Sequence, residues 1–127
     1  MGPSDEHNKL SGIVIDCAYK VHTALGPGLI ESVYEACLLH ELKKRGVTVE
    51  SQVNLPVIYD GMTLDAGLRL DIWVEYKIIV ELKAVEKLLP VHKAQLLSYL
   101  KLSGCSLGLL INFNSALIKD GIQRLVL

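Results

Sequence analysis

Asp71, Glu81 and Lys83 are the residues of this 127-residue chain whose types and spacing point most directly to chemistry. Around Asp71 the letters alternate. Leu68, Leu70, Ile72 and Val74 are expected on one face of a strand, and Arg69, Asp71 and Trp73 on the other. Ile78, Val80, Leu82 and Ala84 continue the apolar face after a turn at Glu75-Tyr76-Lys77, which leaves Ile79, Glu81 and Lys83 opposite. The two runs read as a hairpin. With its turn centred on Tyr76, Asp71 faces Glu81 and Arg69 faces Lys83. Like charges directly opposite on neighbouring strands repel, so this register costs stability unless a cation sits between the carboxylates. A divalent metal ion would supply it.

The elements that must position these residues follow from periodicity and punctuation. Leu10, Ile13, Val14, Cys17, Ala18, Val21 and Leu25 form one apolar stripe on a helix, which Gly26-Pro27-Gly28 interrupts. A second helix is predicted over 29–45, with Ile30, Val33, Cys37, Leu38 and Leu42 inward, Lys43, Lys44 and Arg45 complementing its C-terminal dipole, and Gly46 ending it. From Val47 to Tyr59 the residues favour an extended chain, and Asp60-Gly61 is a two-residue hairpin turn leading into Met62 to Val74. Pro56 implies an edge position or a bulge. This turn sets Gln52 opposite Arg69, near the charged face. Pro90 and Gly104 bracket a third helix, the apolar run Leu107 to Phe113 reads as a doubly buried parallel strand, and Ile122 to Leu127 is a last strand or helical turn. The order is that of an α/β domain, with helices covering a central mixed sheet.

With 127 residues, half of them hydrophobic, the chain is expected to form one domain over 10–127 behind a disordered leader over 1–9. No apolar stretch approaches the roughly 18 residues that cross a bilayer, and the N-terminus lacks the layout of a secretion signal. A soluble, cytoplasmic protein is expected. Cys17, Cys37 and Cys105 sit in apolar surroundings without zinc or disulfide spacing and read as reduced core thiols. A net charge of −1 counts modestly against nucleic-acid binding, although basic residues cluster at Lys43-Lys44-Arg45 and again from Lys83 to Lys101.

Hard cations held by carboxylate oxygens neutralise a phosphate and activate water together, and an amine two residues from Glu81 can orient that water or offset developing charge. Asp71 with Glu81-Leu82-Lys83 resembles the motif of the PD-(D/E)XK nuclease superfamily, with Leu70 where the motif's name has Pro. Gly28 to Tyr34 matches the signature of the GxxExxY family of that superfamily, and Gln95 with Tyr99 resembles the QxxxY element of its RecB-like branch. The stretches Glu81 to His92 and Leu109 to Asn114 are also similar to that family, so the resemblance spans about Val14 to Val126. It implies a restriction-endonuclease-like core: a three-strand antiparallel meander plus a parallel strand, flanked by helices. It further implies Mg²⁺ or Mn²⁺ held by Glu31, Asp71 and Glu81, Lys83 as catalytic amine, and Tyr34, Gln52, Gln95 and Tyr99 as auxiliary or substrate contacts. Nucleic acid, DNA ahead of RNA, is the expected substrate, and small size with near-neutral charge points to a homodimer or a partner protein.

Each residue also has a plainer reading. Glu31 suits a helix N-terminus, Tyr34 and Tyr99 suit half-buried helix positions, and Arg69, Asp71, Glu81 and Lys83 could form a surface salt-bridge lattice. Trp73 and Ile79 argue against the lattice, because apolar side chains beside the charges need cover, most simply from the second helix. A nuclease, a catalytically silent nuclease-fold module and a small-molecule hydrolase with the same metal site are the three functional readings.

Overall fold

The computed structural model describes residues 3–127. Helix α1 (Asp5–Leu25) begins five residues before the predicted start, because Ser4 caps it: the Ser4 hydroxyl accepts from the His7 N–H, and the His7 side chain reaches back to the cap. Residues Asp5 to Lys9, expected in a disordered leader, are therefore helical, and Glu6 pairs with Lys77 at 3.0 Å. Met1 and Gly2 of that leader lie outside the described residues. Helix α2 (Glu31–Lys44) buries Tyr34, Leu38 and Leu42, one residue per turn. Ile30, predicted to point inward, is the exposed residue before its first turn, because the inward stripe runs through Tyr34 instead.

Strands β1 (Val49–Asn54), β4 (Arg69–Val74), β5 (Ile78–Lys83), β6 (Leu107–Asn112) and β7 (Ile122–Val126) form a mixed sheet in the order β1-β4-β5-β6-β7. Among the described residues, β5 and β6 make the only parallel pairing. Between β1 and β4 the chain makes a separate two-stranded hairpin, β2 (Val57–Tyr59) and β3 (Met62–Leu64), closed by Asp60-Gly61. The long strand predicted over 47–59 is thus broken at Leu55-Pro56, and β1 is an edge strand, as a proline there implies. Helix α3 (Pro90–Ser103) starts on its proline and stops at Gly104, whose φ of 76° is left-handed. A 3-10 turn, Ile118–Gly121, leads into β7.

Helices α1 and α2 cover one face of the sheet, burying Ile72, Val74, Val80 and Leu82 with Phe113; α3 covers the other, burying Leu70, Ile79 and Leu110 under Leu96, Tyr99 and Leu100. Two expectations are corrected here. Trp73 and Ile79 are covered by α3, not α2. Leu68 and Leu70 do not share a face with Ile72 and Val74: the faces exchange where Gln52 takes a φ of 51° in β1, across from Asp71 in β4. Left-handed backbone at one position breaks the alternation that a pattern of letters assumes. Cys17, Cys37 and Cys105 are free thiols, and among the described residues no helix is long and apolar enough to cross a membrane.

Candidate active site

The site begins where β4 and β5 part. Their ladder runs from Val74–Ile78 through Trp73–Ile79 to Ile72–Val80, in the register set by a turn centred on Tyr76. One step further, carboxylates replace the ladder bonds. Glu81 Oε1 accepts the Asp71 N–H at 3.1 Å, and Asp71 Oδ2 accepts the Leu82 N–H at 2.8 Å. Each acid therefore satisfies the other strand's backbone and is held against its neighbour. Glu81 is only 4% exposed. Burial, and then the adjacent Asp71 carboxylate, pushes its pKa up to about 9, with Lys83 pulling weakly the other way. The pair thus holds a proton at neutral pH that a cation could displace.

Lys83 ends β5 opposite Asn112 of β6, on the same side of the strand as Glu81. Among the described residues its amine forms no ion pair, while its charge acts on both Glu31 and Glu81. Glu31 is the first residue of α2 and comes to the sheet from the α1–α2 side. Desolvation raises its pKa, the Asp71 charge raises it further, and Lys83 lowers it, so the three groups stand within electrostatic reach. Yet among the described residues no three His, Cys, Asp or Glu side chains already converge as a metal-holding group. The donor set fits a hard cation at Asp71 and Glu81, an all-oxygen pair whose mutual repulsion and burial call for positive charge. Glu31 would have to swing inward to join it.

The remaining predicted residues divide. Tyr99, on α3, is buried, and its pKa is raised by desolvation and by the charges of Glu81 and Asp71, with Gln95 beside it opposing the shift. Tyr99 therefore faces the acid pair from the α3 side, with the exposed Gln95 bonded to it. Tyr34 does not: it is fully buried, stacks on Phe113 at 4.7 Å, donates to the Gly26 carbonyl at 2.6 Å and accepts from the Leu29 N–H at 3.0 Å. Its work is to fasten the loop that leads to Glu31. Gln52 lies across from Asp71 rather than from Arg69, because an Asx turn, with the Gly67 N–H on Asp65 Oδ1, inserts two residues after β3. Arg69 still reaches the Gln52 carbonyl at 3.4 Å.

Sequence reasoning missed Glu35 and two asparagines. Glu35 sits one turn after Glu31, accepts from Gln52 Nε2 at 2.7 Å, and has a pKa raised by burial and by Asp71. Its four-residue spacing from Glu31 was the available signal. Asn112 is buried and grips Val85 twice, accepting its N–H at 3.1 Å and donating to its carbonyl at 2.9 Å, which fixes the chain leaving Lys83. Asn114 Oδ1 accepts the Gly28 N–H at 3.0 Å and so pins the loop before Glu31. Polar residues closing an otherwise apolar strand were the trace they left.

Compared with models of known families, the chain matches that of the PD-(D/E)XK nuclease superfamily over residues 8–125. It belongs to that superfamily. Neither curated proteins nor solved structures give a significant match. Nucleases of the PD-(D/E)XK superfamily generally use divalent metal ions, in keeping with the acid pair described above. The three helices and mixed sheet are those of its restriction-endonuclease-like fold.

Proposed function

We propose that this protein is a metal-dependent nuclease hydrolysing phosphodiester bonds in DNA, with RNA a second choice, and that it belongs to the GxxExxY family near the RecB-like branch. The observation that carries this reading is the Asp71–Glu81 pair, with Glu81 buried, bonded across two diverging strands, and two residues along a Lys83 that forms no ion pair among the described residues. Asp71 and Glu81 would hold Mg²⁺, or Mn²⁺, with Glu31 completing the set. When bound, such a cation supplies charge neutralisation at the phosphate and a more acidic water. Lys83 orients the attacking water and offsets the charge that grows on the phosphate oxygens as the P–O bond to the leaving sugar oxygen breaks. Tyr99 and Gln95 contact the substrate backbone, and Gln52, through Glu35, steadies the acidic side of the site. A homodimer or a partner protein enlarges a footprint that near-neutral charge leaves weak.

A cleavage assay with Mg²⁺ or Mn²⁺, comparing wild type with Asp71→Ala and Lys83→Ala, tests the assignment. Loss in both variants is the expected result; equal activity in all three defeats it. The rival reading, a catalytically silent module binding nucleic acid or a protein, draws on the lack of a ready-made group of three metal-holding side chains among the described residues. Calorimetric metal titration beside a salt-dependent DNA-binding measurement separates the two, since binding of DNA without metal favours the module.

A further inference from the structure

Between β1 and β4 the chain leaves the sheet. The Leu55 N–H donates to the Leu68 carbonyl at 2.8 Å, and beyond that rung the β2–β3 hairpin forms a sheet of its own in which every residue from Ile58 to Gly67 is exposed. Asp60 and Gly61, with φ of 50° and 74°, give the two positive values that a type I′ hairpin turn requires. The register pairs Val57 with Leu64 and Tyr59 with Met62. Residues that are paired, or two apart on one strand, share a face, so these four side chains stand together and Ile58 with Thr63 stands opposite. None of the four joins either core among the described residues.

Two strands alone are marginally stable in water and call for a third strand or a packed surface over their apolar face. Here that face lies open: Tyr59, Met62 and Leu64 are 68%, 51% and 42% exposed, which leaves on the order of 400 Å² of side-chain surface per copy. The charges exclude one class of cover. Glu50, Asp60 and Asp65 are the charged residues between Gly46 and Arg69, so the hairpin is acidic and repels a phosphate backbone. Tyr and Met within the patch, Asp at its rim and no Lys are the composition of a protein interface. The shape chooses the partner. Turned about a two-fold axis, the bulky Tyr59–Met62 pair beside the turn meets the smaller Val57–Leu64 pair nearer the main sheet, so the face complements itself. Two such faces with their rims would remove roughly 1,000 Å² from water, the lower bound of a specific interface and the range of a weak, reversible dimer.

We propose that two copies of this chain pair through the Tyr59, Met62 and Leu64 face of their β2–β3 hairpins to form a reversible dimer. The role of that dimer, to enlarge the footprint on nucleic acid, rests on the nuclease reading above, and the pairing chooses a second copy over the partner protein which that reading left open. The hairpin joins β1 to β4, the strand of Asp71, so the contact ties two acid pairs into one particle.

Sedimentation velocity of the full chain over about 5–500 μM tests the pairing. Wild type is expected to pass from monomer to dimer within that range. Tyr59→Ser combined with Met62→Ser should raise the dissociation constant at least about thirtyfold, whereas Ile58→Ser, on the opposite face, should change it by less than about threefold. All three positions are exposed, and melting curves verify that each variant folds. A wild type that stays monomeric at the highest concentration, a dimer indifferent to the double substitution, or one equally sensitive to Ile58→Ser overturns the proposal. In a mixture of ¹³C-labelled and unlabelled protein, isotope-filtered NOEs should connect the Tyr59 ring of one copy to the Val57 or Leu64 methyls of the other; a dimer without them overturns it as well. Neither measurement uses cleavage. A chain that dimerises in this way and cuts nothing loses the nuclease reading alone, and one that cuts as a monomer loses this proposal alone.

Discussion

The two halves of the β4–β5 hairpin share one register and do opposite work. From Val74–Ile78 to Ile72–Val80 the ladder is regular, with Ile72, Val74, Ile78, Ile79 and Val80 fully buried. From Asp71 and Glu81 onward the strands separate, and the bonds that a ladder would make are made by carboxylates. The first half contributes stability by burying apolar surface; the second gives some of it up by confining two carboxyl groups, only one of them charged at neutral pH, where water is scarce. The proposed reaction centre is a place where two strands stop pairing before the chain stops being buried.

Four outcomes would break or sharpen that contrast. The largest effect belongs to the open half: Asp71→Ala and Lys83→Ala should each lower metal-dependent cleavage by roughly a hundredfold to ten-thousandfold, read from initial rates. In the regular half, Ile78→Ala should cost about 2–5 kcal/mol of folding stability in a denaturant titration, with metal affinity little changed. A comparable loss of metal affinity there would erase the distinction.

The third outcome concerns pH. The folded protein keeps a proton on Glu81 up to about pH 9, whereas the unfolded chain gives it up near the ordinary carboxyl value of 4.5. In chelator, stability should therefore be fully present below about pH 4.5 and fall as pH rises toward about 9, by of the order of a few kcal/mol. Glu31 and Glu35 shift in the same direction and add to the slope. Glu81→Gln should flatten most of it, and saturating Mg²⁺ should do the same in wild type; a metal-free protein whose melting temperature rises across this window contradicts the account. Smallest is Asn114→Ala, which frees Gly28 and should cost about 0.5–1.5 kcal/mol together with a modest weakening of Mn²⁺ binding, measured by calorimetry.

Much of this was legible in the letters. The hairpin register followed from unbroken alternation on both sides of a three-residue turn, and α3 announced itself by Pro90 and Gly104. The α/β order and the doubly buried β6 were likewise readable, because continuous apolar runs and amphipathic stripes are properties of the chain itself. What escaped depended on single backbone angles and on long-range partners. No letter pattern shows that Gln52 adopts a positive φ, that Asp65 and Gly67 close an Asx turn that moves β1 by two positions, or that α3 rather than α2 roofs Trp73. Asn112 and Asn114 were hidden for the same reason. Their partners, Val85 and Gly28, are 27 and 86 residues away in sequence.

The most direct test of the acid pair is a crystal soaked in Mn²⁺ and measured for anomalous scattering. The account predicts a peak between the Asp71 and Glu81 carboxylates, with Glu31 turned toward it and Lys83 beside it. A peak elsewhere, or a site empty at saturating Mn²⁺ with Glu81 still protonated against Asp71, would contradict it.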